Sequence, residues 1–344
     1  MSLGLMATTV IDGSVLEGGG QILRNAVSLS ALLSRPVSIH SIRNNRSSPG
    51  LRNQHRTGLE LAANITSARL TGATNGSSQI EFVPGRINLP NHYTADSVTA
   101  GSITLLLQIS LPLLLFSPTP VPASTLTLFG GTNATLAPQV DYTKHVFLPF
   151  IQRHFGIDRV SLDIRKRGYF PKGGGEVRLS VVPFAGDYKL RSFSLMNRGK
   201  IKWISGISHY AGLPLTVGKG MVEGAEKRLA EAGFGQKNSS IPKDPTLQDL
   251  NEQSTEASNV PVSIQCRREP NALTKGAGSG IVLWAELEDG GIIGGSAVGT
   301  KATPPEQVGE EAASYDAGVH LILLPLQWLQ DQIVIFMATH GMLP

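Results

Sequence analysis

Cysteine is nearly missing from this chain of 344 residues: Cys266 is the only one. That excludes an intrachain disulfide and any zinc site built on several cysteines, and it fits a reducing compartment. Charged residues are also scarce, at 16%. With 30 Lys+Arg against 26 Asp+Glu the net charge is only +4, which excludes a nucleic-acid binder that works by bulk charge alone. No apolar run is long enough to span a bilayer. The longest, Ile103 to Phe116, is interrupted by Gln108 and Pro112. The opening residues lack a basic stretch followed by a long apolar one, so no secretory signal and no membrane partner are expected. The chain contains no GxSxG elbow, no HExxH and no complete P-loop.

Glycine and proline, by contrast, are plentiful, with 38 and 21 residues spread along the chain. They punctuate short segments of alternating strand-like and helix-like pattern. Strands are expected at 8–11, 36–42, 80–83, 125–129 and 160–165. Helices are expected at 21–33, 51–67, 99–116 and 142–155. The recurrence of β-α-β-α-β-β patterning predicts an α/β layered fold with internal repeats, although no sequence period is visible. Beyond about residue 186 the pattern changes. We expect a large domain from 1–186 and 295–344, interrupted by a smaller inserted α/β domain at 187–294. Within the insert, 218–232 reads as a helix, 262–266 as a strand and 235–260 as an exposed polar loop.

Two N-terminal elements carry candidate chemistry. Glu17-Gly18-Gly19-Gly20 precedes a helix that bears Arg24. Glycines at such a point expose backbone N–H groups that can hold a phosphate, and they equally make an ordinary turn. The second element, residues 43–56, holds Arg43, Arg46, Arg52, Arg56 and His55. Guanidinium forks suit phosphate, and Arg52, His55 and Arg56 are expected on one helical face. The same charges also suit a solvated surface. Gln108 sits within an apolar helix, so its amide needs a partner: either a nucleotide or a neighbouring group. None of the eight histidines shows metal-ligand spacing.

The ordered set of segments is similar to the RNA 3'-terminal phosphate cyclase family. The matching stretches are DGSVLEGGGQILR at 12–24, Ile42-Arg43, Arg46, PGLRNQH at 49–55, and TAGS at 99–102. They continue with GGTN at 130–133, APQ at 137–139, Asp141-Tyr142, RGYFPKGGGE at 167–176, EQVG at 306–309 and LQDQ at 329–332.

The resemblance implies three β-α-β-α-β-β repeats with a small inserted domain. It implies ATP as substrate and Mg2+ or another divalent metal as helper. A histidine would take AMP covalently and pass it to an RNA 3'-phosphate, and the 2'-OH would then close a 2',3'-cyclic phosphodiester. By the same resemblance Glu17, Arg24, Arg43, Arg46, Gln54 and His55 surround the reacting phosphates and RNA end. Gln108, Pro138, Trp328, Asp331 and Gln332 contact the nucleotide, with Trp328 in place of the more usual tyrosine. The family's nucleophilic histidine follows the Asp-Gln pair in an HTxTA-like segment. No such segment follows Gln332 here, so the C-terminal stretch is read as truncated or altered. That leaves His320 and His340 as remaining candidates and the metal ligands unassigned. The expectation is an ATP-dependent cyclase whose own turnover is in question. The alternative is a non-catalytic relative acting in ribosomal RNA processing. Similarity to the eukaryotic-type members points to a nucleus or nucleoplasm.

Overall fold

The computed structural model describes residues 7–15, 18–186, 188–194, 199–235 and 260–314. The described chain forms two compact units.

The first unit is built twice on one plan. Its first copy runs β1 (Thr9–Asp12), α1 (Gly20–Leu32), β2 (Val37–His40), α2 (Asn53–Thr66), β3 (Arg69–Thr71) and β4 (Ile80–Val83). The sheet order is β1-β2-β4-β3. β1 and β2 are parallel, while β4 is antiparallel to both β2 and β3. The second copy runs β5 (His92–Asp96), α3 (Ile103–Leu114), β6 (Phe116–Ser117), β7 (Ser124–Gly130) and α4 (Val140–Tyr142). A π-helical turn at Thr143–Phe147 then leads into α5 (Leu148–Phe155), β8 (Val160–Gly168) and β9 (Gly175–Val181). Here the order is β5-β7-β9-β8, with the same parallel and antiparallel relations. A short strand β10 (Phe184–Ala185) pairs with β6.

The core follows from the apolar pattern. Helix α3 is apolar on almost every side and is buried at eleven of its twelve positions. It packs against α1 and α2 of the first copy and β7 of its own. Ile103, Ile109, Leu59, Ile65, Ile39 and Phe82 are fully enclosed there. Each such side chain contributes about 1.5–3 kcal/mol of burial. The Ser28 hydroxyl donates to the Ile109 carbonyl at 2.8 Å, which pins α1 to α3. The second copy therefore supplies the wall against which the first copy's helices rest.

The second unit contains β11 (Ile201–Ala211), α6 (Leu215–Glu231) and β12 (Val262–Arg268). After β12 the chain contributes β13 (Thr274–Lys275) to the first unit, beside β8. It then completes the second unit with β14 (Gly278–Leu287), β15 (Ile292–Val298) and α7 (Pro305–Ala313). The sheet order is β12-β11-β14-β15. Ile204, Met221, Ala225, Leu229, Ile281, Leu283, Val308 and Ala312 form its core under the two helices.

Several expectations need correction. Residues 99–102 are not helical: α3 begins at Ile103, and the TAGS segment is the loop before it. A return to the large domain at 295 falls inside β15, whose Ala297 packs in the second unit's core, and α7 also belongs to that unit. The first unit continues past 186 to Phe193. The polar stretch at 235–260 lies almost wholly outside the described residues, as does everything after Ser314. Two of the three expected repeats are present among the described residues. No described helix is long and apolar enough to cross a membrane.

Candidate functional site

One cavity of about 1270 Å³ opens in the first unit between its two copies. Its walls include Gly18, Gly19, Gly20, Arg24, Arg43, Arg46, Arg52, Gln54 and His55 from the first copy, and Thr99, Gly101, Leu105 and Leu136 from the second. Five of the six residues expected at the RNA end therefore meet in one place. The sixth, Glu17, lies outside the described residues.

The floor is the start of α1. Gly18 adopts φ +57°, and its N–H donates to the Val15 carbonyl at 3.0 Å, closing a turn that favours glycine. No side chain caps α1, and its first turn holds no acidic residue. Its first N–H groups and the positive end of its dipole are therefore available to an anion. A Cβ on Gly20 would run into the His55 Nε2 and sit 2.9 Å from the Arg24 Nη1. Glycine here lets an imidazole and a guanidinium close over the helix start.

The arginines are held in distinct ways. Arg24, one turn into α1, donates from Nε to the Gln108 Oε1 at 2.6 Å. Arg43 sits at φ +55° and its Nη1 donates to the carbonyls of Ser48 (2.6 Å) and Gly50 (2.9 Å). It thereby staples the 43–50 loop while facing the cavity. Burial, and the Arg52 and Arg46 charges beside it, lower its pKa, and a guanidinium remains protonated nonetheless. The Asn45 side chain donates to the Ser14 carbonyl at 2.9 Å, tying this loop to the glycine turn. Gln54 accepts the Ser102 N–H at 3.2 Å and so joins α2 to the second copy's loop.

His55 is neutral. Burial, then Arg24, Arg43 and Arg52, push its pKa down to about 3. Its Nδ1 accepts the Arg52 backbone N–H at 3.1 Å. The remaining proton is therefore assigned to Nε2, which makes His55 a hydrogen-bond donor at that atom.

Other expected residues lie elsewhere. Arg56 does not line the cavity; its Nε pairs along the helix with Glu60 at 3.5 Å. Gln108 is buried and spends its carbonyl on Arg24, so it acts through that arginine. The Pro138 carbonyl accepts the Thr104 hydroxyl at 2.9 Å in a buried position and is not part of the wall. Trp328, Asp331, Gln332, His320 and His340 lie outside the described residues. Conversely, Asn75, Gly76 and Leu136 do line the cavity. Nothing local in the sequence marks them: they arrive through strand pairing and loop packing.

The described wall carries four arginines and no carboxylate. A group bearing phosphate fits it. A divalent cation does not fit the described residues alone, since among them no three His, Cys, Asp or Glu side chains come together.

An arginine-lined cavity on a duplicated β-α-β-α-β-β unit agrees with the comparisons. The family of RNA 3'-terminal phosphate cyclases matches residues 15–341. The chain belongs to that family. It is 37% identical over 329 residues to an RNA 3'-terminal phosphate cyclase of Pyrobaculum neutrophilum, covering 95% of this chain and 84% of that protein. It is 36% identical over 335 residues to the one of Drosophila melanogaster, covering 95% and 82%. It is 39% identical over 303 residues to the one of Staphylothermus marinus, covering 88% and 76%. Membership in the cyclase family classes the chain with enzymes, and the α/β fold is the one expected of it.

Proposed function

We propose that this chain closes the 3'-terminal phosphate of an RNA onto the adjacent 2'-hydroxyl, giving a 2',3'-cyclic phosphodiester, with ATP as co-substrate. The observation that carries the reading is the convergence of Arg24, Arg43, Arg46 and Arg52 with the uncapped start of α1 and a neutral His55.

The chemistry assigns work to each group. A terminal phosphate dianion repels an incoming oxygen, and its own oxygens leave poorly. ATP, when bound, supplies the adenylyl group that turns one such oxygen into a leaving group. Arg24, Arg43, Arg46 and Arg52 then offset the charge that gathers as the 2'-oxygen bonds to phosphorus and the opposite P–O bond breaks. The first N–H groups of α1 hold non-bridging oxygens. His55 donates from Nε2 to a phosphate oxygen. In this tautomer it does not accept the 2'-hydroxyl proton, so it positions the phosphate rather than serving as the base. Gln54 and Gln108 hold the cavity's two halves in register.

The test is direct. A 3'-phosphorylated oligonucleotide is incubated with the full chain, ATP and magnesium, beside a 3'-hydroxyl control. Conversion of the 3'-phosphate to a phosphatase-resistant end, dependent on ATP, is the expected result. Selective binding of the 3'-phosphate with no conversion would leave an RNA-end binder and sink the catalytic reading. Trapping of protein-bound AMP, repeated with His320→Ala and His340→Ala, identifies the nucleophile.

A further inference from the structure

We infer that the turn at residues 169–173 and the β13 edge form a track for the RNA strand leading away from its 3' end. Lys172 and Lys275 grip the backbone there, and Phe170 stacks on a base. The inference rests on the cavity reading above for where the 3' end sits.

The track adjoins the cavity through backbone. The Gly173 N–H donates to the Tyr169 carbonyl at 2.9 Å, closing a tight turn. A Cβ on Gly173 would lie 2.7 Å from the Thr99 carbonyl oxygen and 2.9 Å from the Ala100 Cα. Thr99 is itself part of the cavity wall. The turn thus sits on the cavity's edge.

Two lysines are laid across this turn reciprocally. β13 pairs with β8, setting Lys275 opposite Gly168. The Lys275 stem lies over Gly174 (φ +73°), where a Cβ would strike it. The Lys172 stem lies over Gly276 (φ +88°), where a Cβ would come within 2.9 Å of its Cδ. Each lysine packs its methylenes on a glycine of the other's turn and stays exposed. Among the described residues neither pairs with a carboxylate. On neighbouring β8 the cations are paired: Lys166 with Glu176 at 3.6 Å, Arg165 with Asp163 at 2.9 Å. Both ammonium groups, exposed on adjoining turns, are thus available to the phosphates of an anionic strand. Beside them Phe170 is 61% exposed, and its ring is open to stack on a base. Two cations and an exposed aromatic face together beside the cavity suit a single strand, whose phosphates can meet the lysines and whose base can meet the ring.

The experiment measures binding of the full chain to two 3'-phosphorylated ligands, a dinucleotide and an RNA of about twelve nucleotides, across a salt series. The longer RNA is expected to bind about tenfold tighter or more. Lys172→Ala with Lys275→Ala is expected to erase that advantage and lower the salt slope for the long RNA by about 1.4, at about 0.7 per phosphate contact on a single strand, with the dinucleotide unaffected. Phe170→Ala is expected to cost about fivefold or more on the long RNA alone. Lys172→Gln with Lys275→Gln keeps the stems on their glycines and repeats the test if the alanine variant unfolds. Equal loss on both ligands, or an unchanged salt slope, overturns the track. A 3'-hydroxyl RNA separates the two readings: if it binds as well as the 3'-phosphate, the cavity reading fails. A length advantage that vanishes in the lysine variant would still uphold the track.

Discussion

The Arg24 Nε donates to the Gln108 Oε1 at 2.6 Å, a bond between residues 84 positions apart that joins α1 of the first copy to α3 of the second. The orientation of a cavity arginine thus depends on a helix belonging to the other half of the duplicated unit. Replacing Gln108 by Leu removes a hydrogen bond to a charged group, a loss of about 1.5–3 kcal/mol. The expected outcome is a weaker grip on the 3'-phosphate, by about tenfold or more at 1.4 kcal/mol per decade, with the circular dichroism of the fold retained. Binding titrations of the variant against 3'-phosphate and 3'-hydroxyl RNA check it. Equal losses on both ends would show that Gln108 does not act through the phosphate.

Gly20→Ala is expected to spare the fold and damage the site. The new methyl meets the ends of the His55 and Arg24 side chains rather than backbone. Those ends can swing away, so thermal unfolding should shift little. Displacing them by about an ångström should lower kcat/KM about a hundredfold. Near wild-type turnover would mean that neither side chain needs its present position.

The depressed pKa of His55 has a consequence with a definite sign. Its value is about 3 in the fold against an ordinary 6.5. Below 6.5 the unfolded chain takes up a proton that the folded chain refuses. The stability that His55 allows is therefore complete above pH 6.5 and is lost as pH falls from 6.5 towards 3. Denaturant unfolding at pH 7.5 and at pH 5 should show the wild type losing more stability than His55→Gln, by up to about 1.4 kcal/mol per pH unit below 6.5. A bound phosphate should raise the His55 pKa and flatten this difference.

The buried pair of Asp141 and Arg167 predicts a stability effect away from the cavity. Both side chains are almost wholly enclosed, and the pair is bidentate, with one contact from Nη2 to Oδ1 at 2.8 Å. Asp141→Ala leaves the guanidinium charge buried without its carboxylate and should cost about 3–5 kcal/mol. Equilibrium unfolding measures it. A loss under about 1 kcal/mol would place the pair among exposed ones.

Much of the architecture was legible because apolar spacing is local. The helices at 21–33 and 51–67 and the strand at 80–83 appear within two residues of their expected bounds. Among the strands that escaped notice, His92–Asp96 alternates exposed His92, Thr94 and Asp96 with buried Tyr93 and Ala95, Arg69–Thr71 is three residues long, and the apolar Gly278–Leu287 and Ile292–Val298 lie in the inserted unit, for which only one strand was expected. The repeat was legible as a pattern and invisible as a period, because the two copies share strand pairing rather than residues. In the site, the glycine turn and the arginine loop announced themselves by composition. Arg56 was expected on one helical face with Arg52 and His55 and instead pairs with Glu60, one turn further along its helix. The partnership of Gln108 with Arg24 could not be read from spacing, since only the packing of α3 on α1 brings them together.

The unit built twice distributes its burdens unevenly. At corresponding junctions, the first copy carries Arg43 and Arg46 after β2, whereas the second carries Gly131, Thr132 and Asn133 after β7, buried and bonded inward. One half supplies the cavity's arginines while the corresponding loop of the other is packed inward. Drift should follow the same division: changes of charge will be resisted in the loop after β2, and changes of volume in the loop after β7.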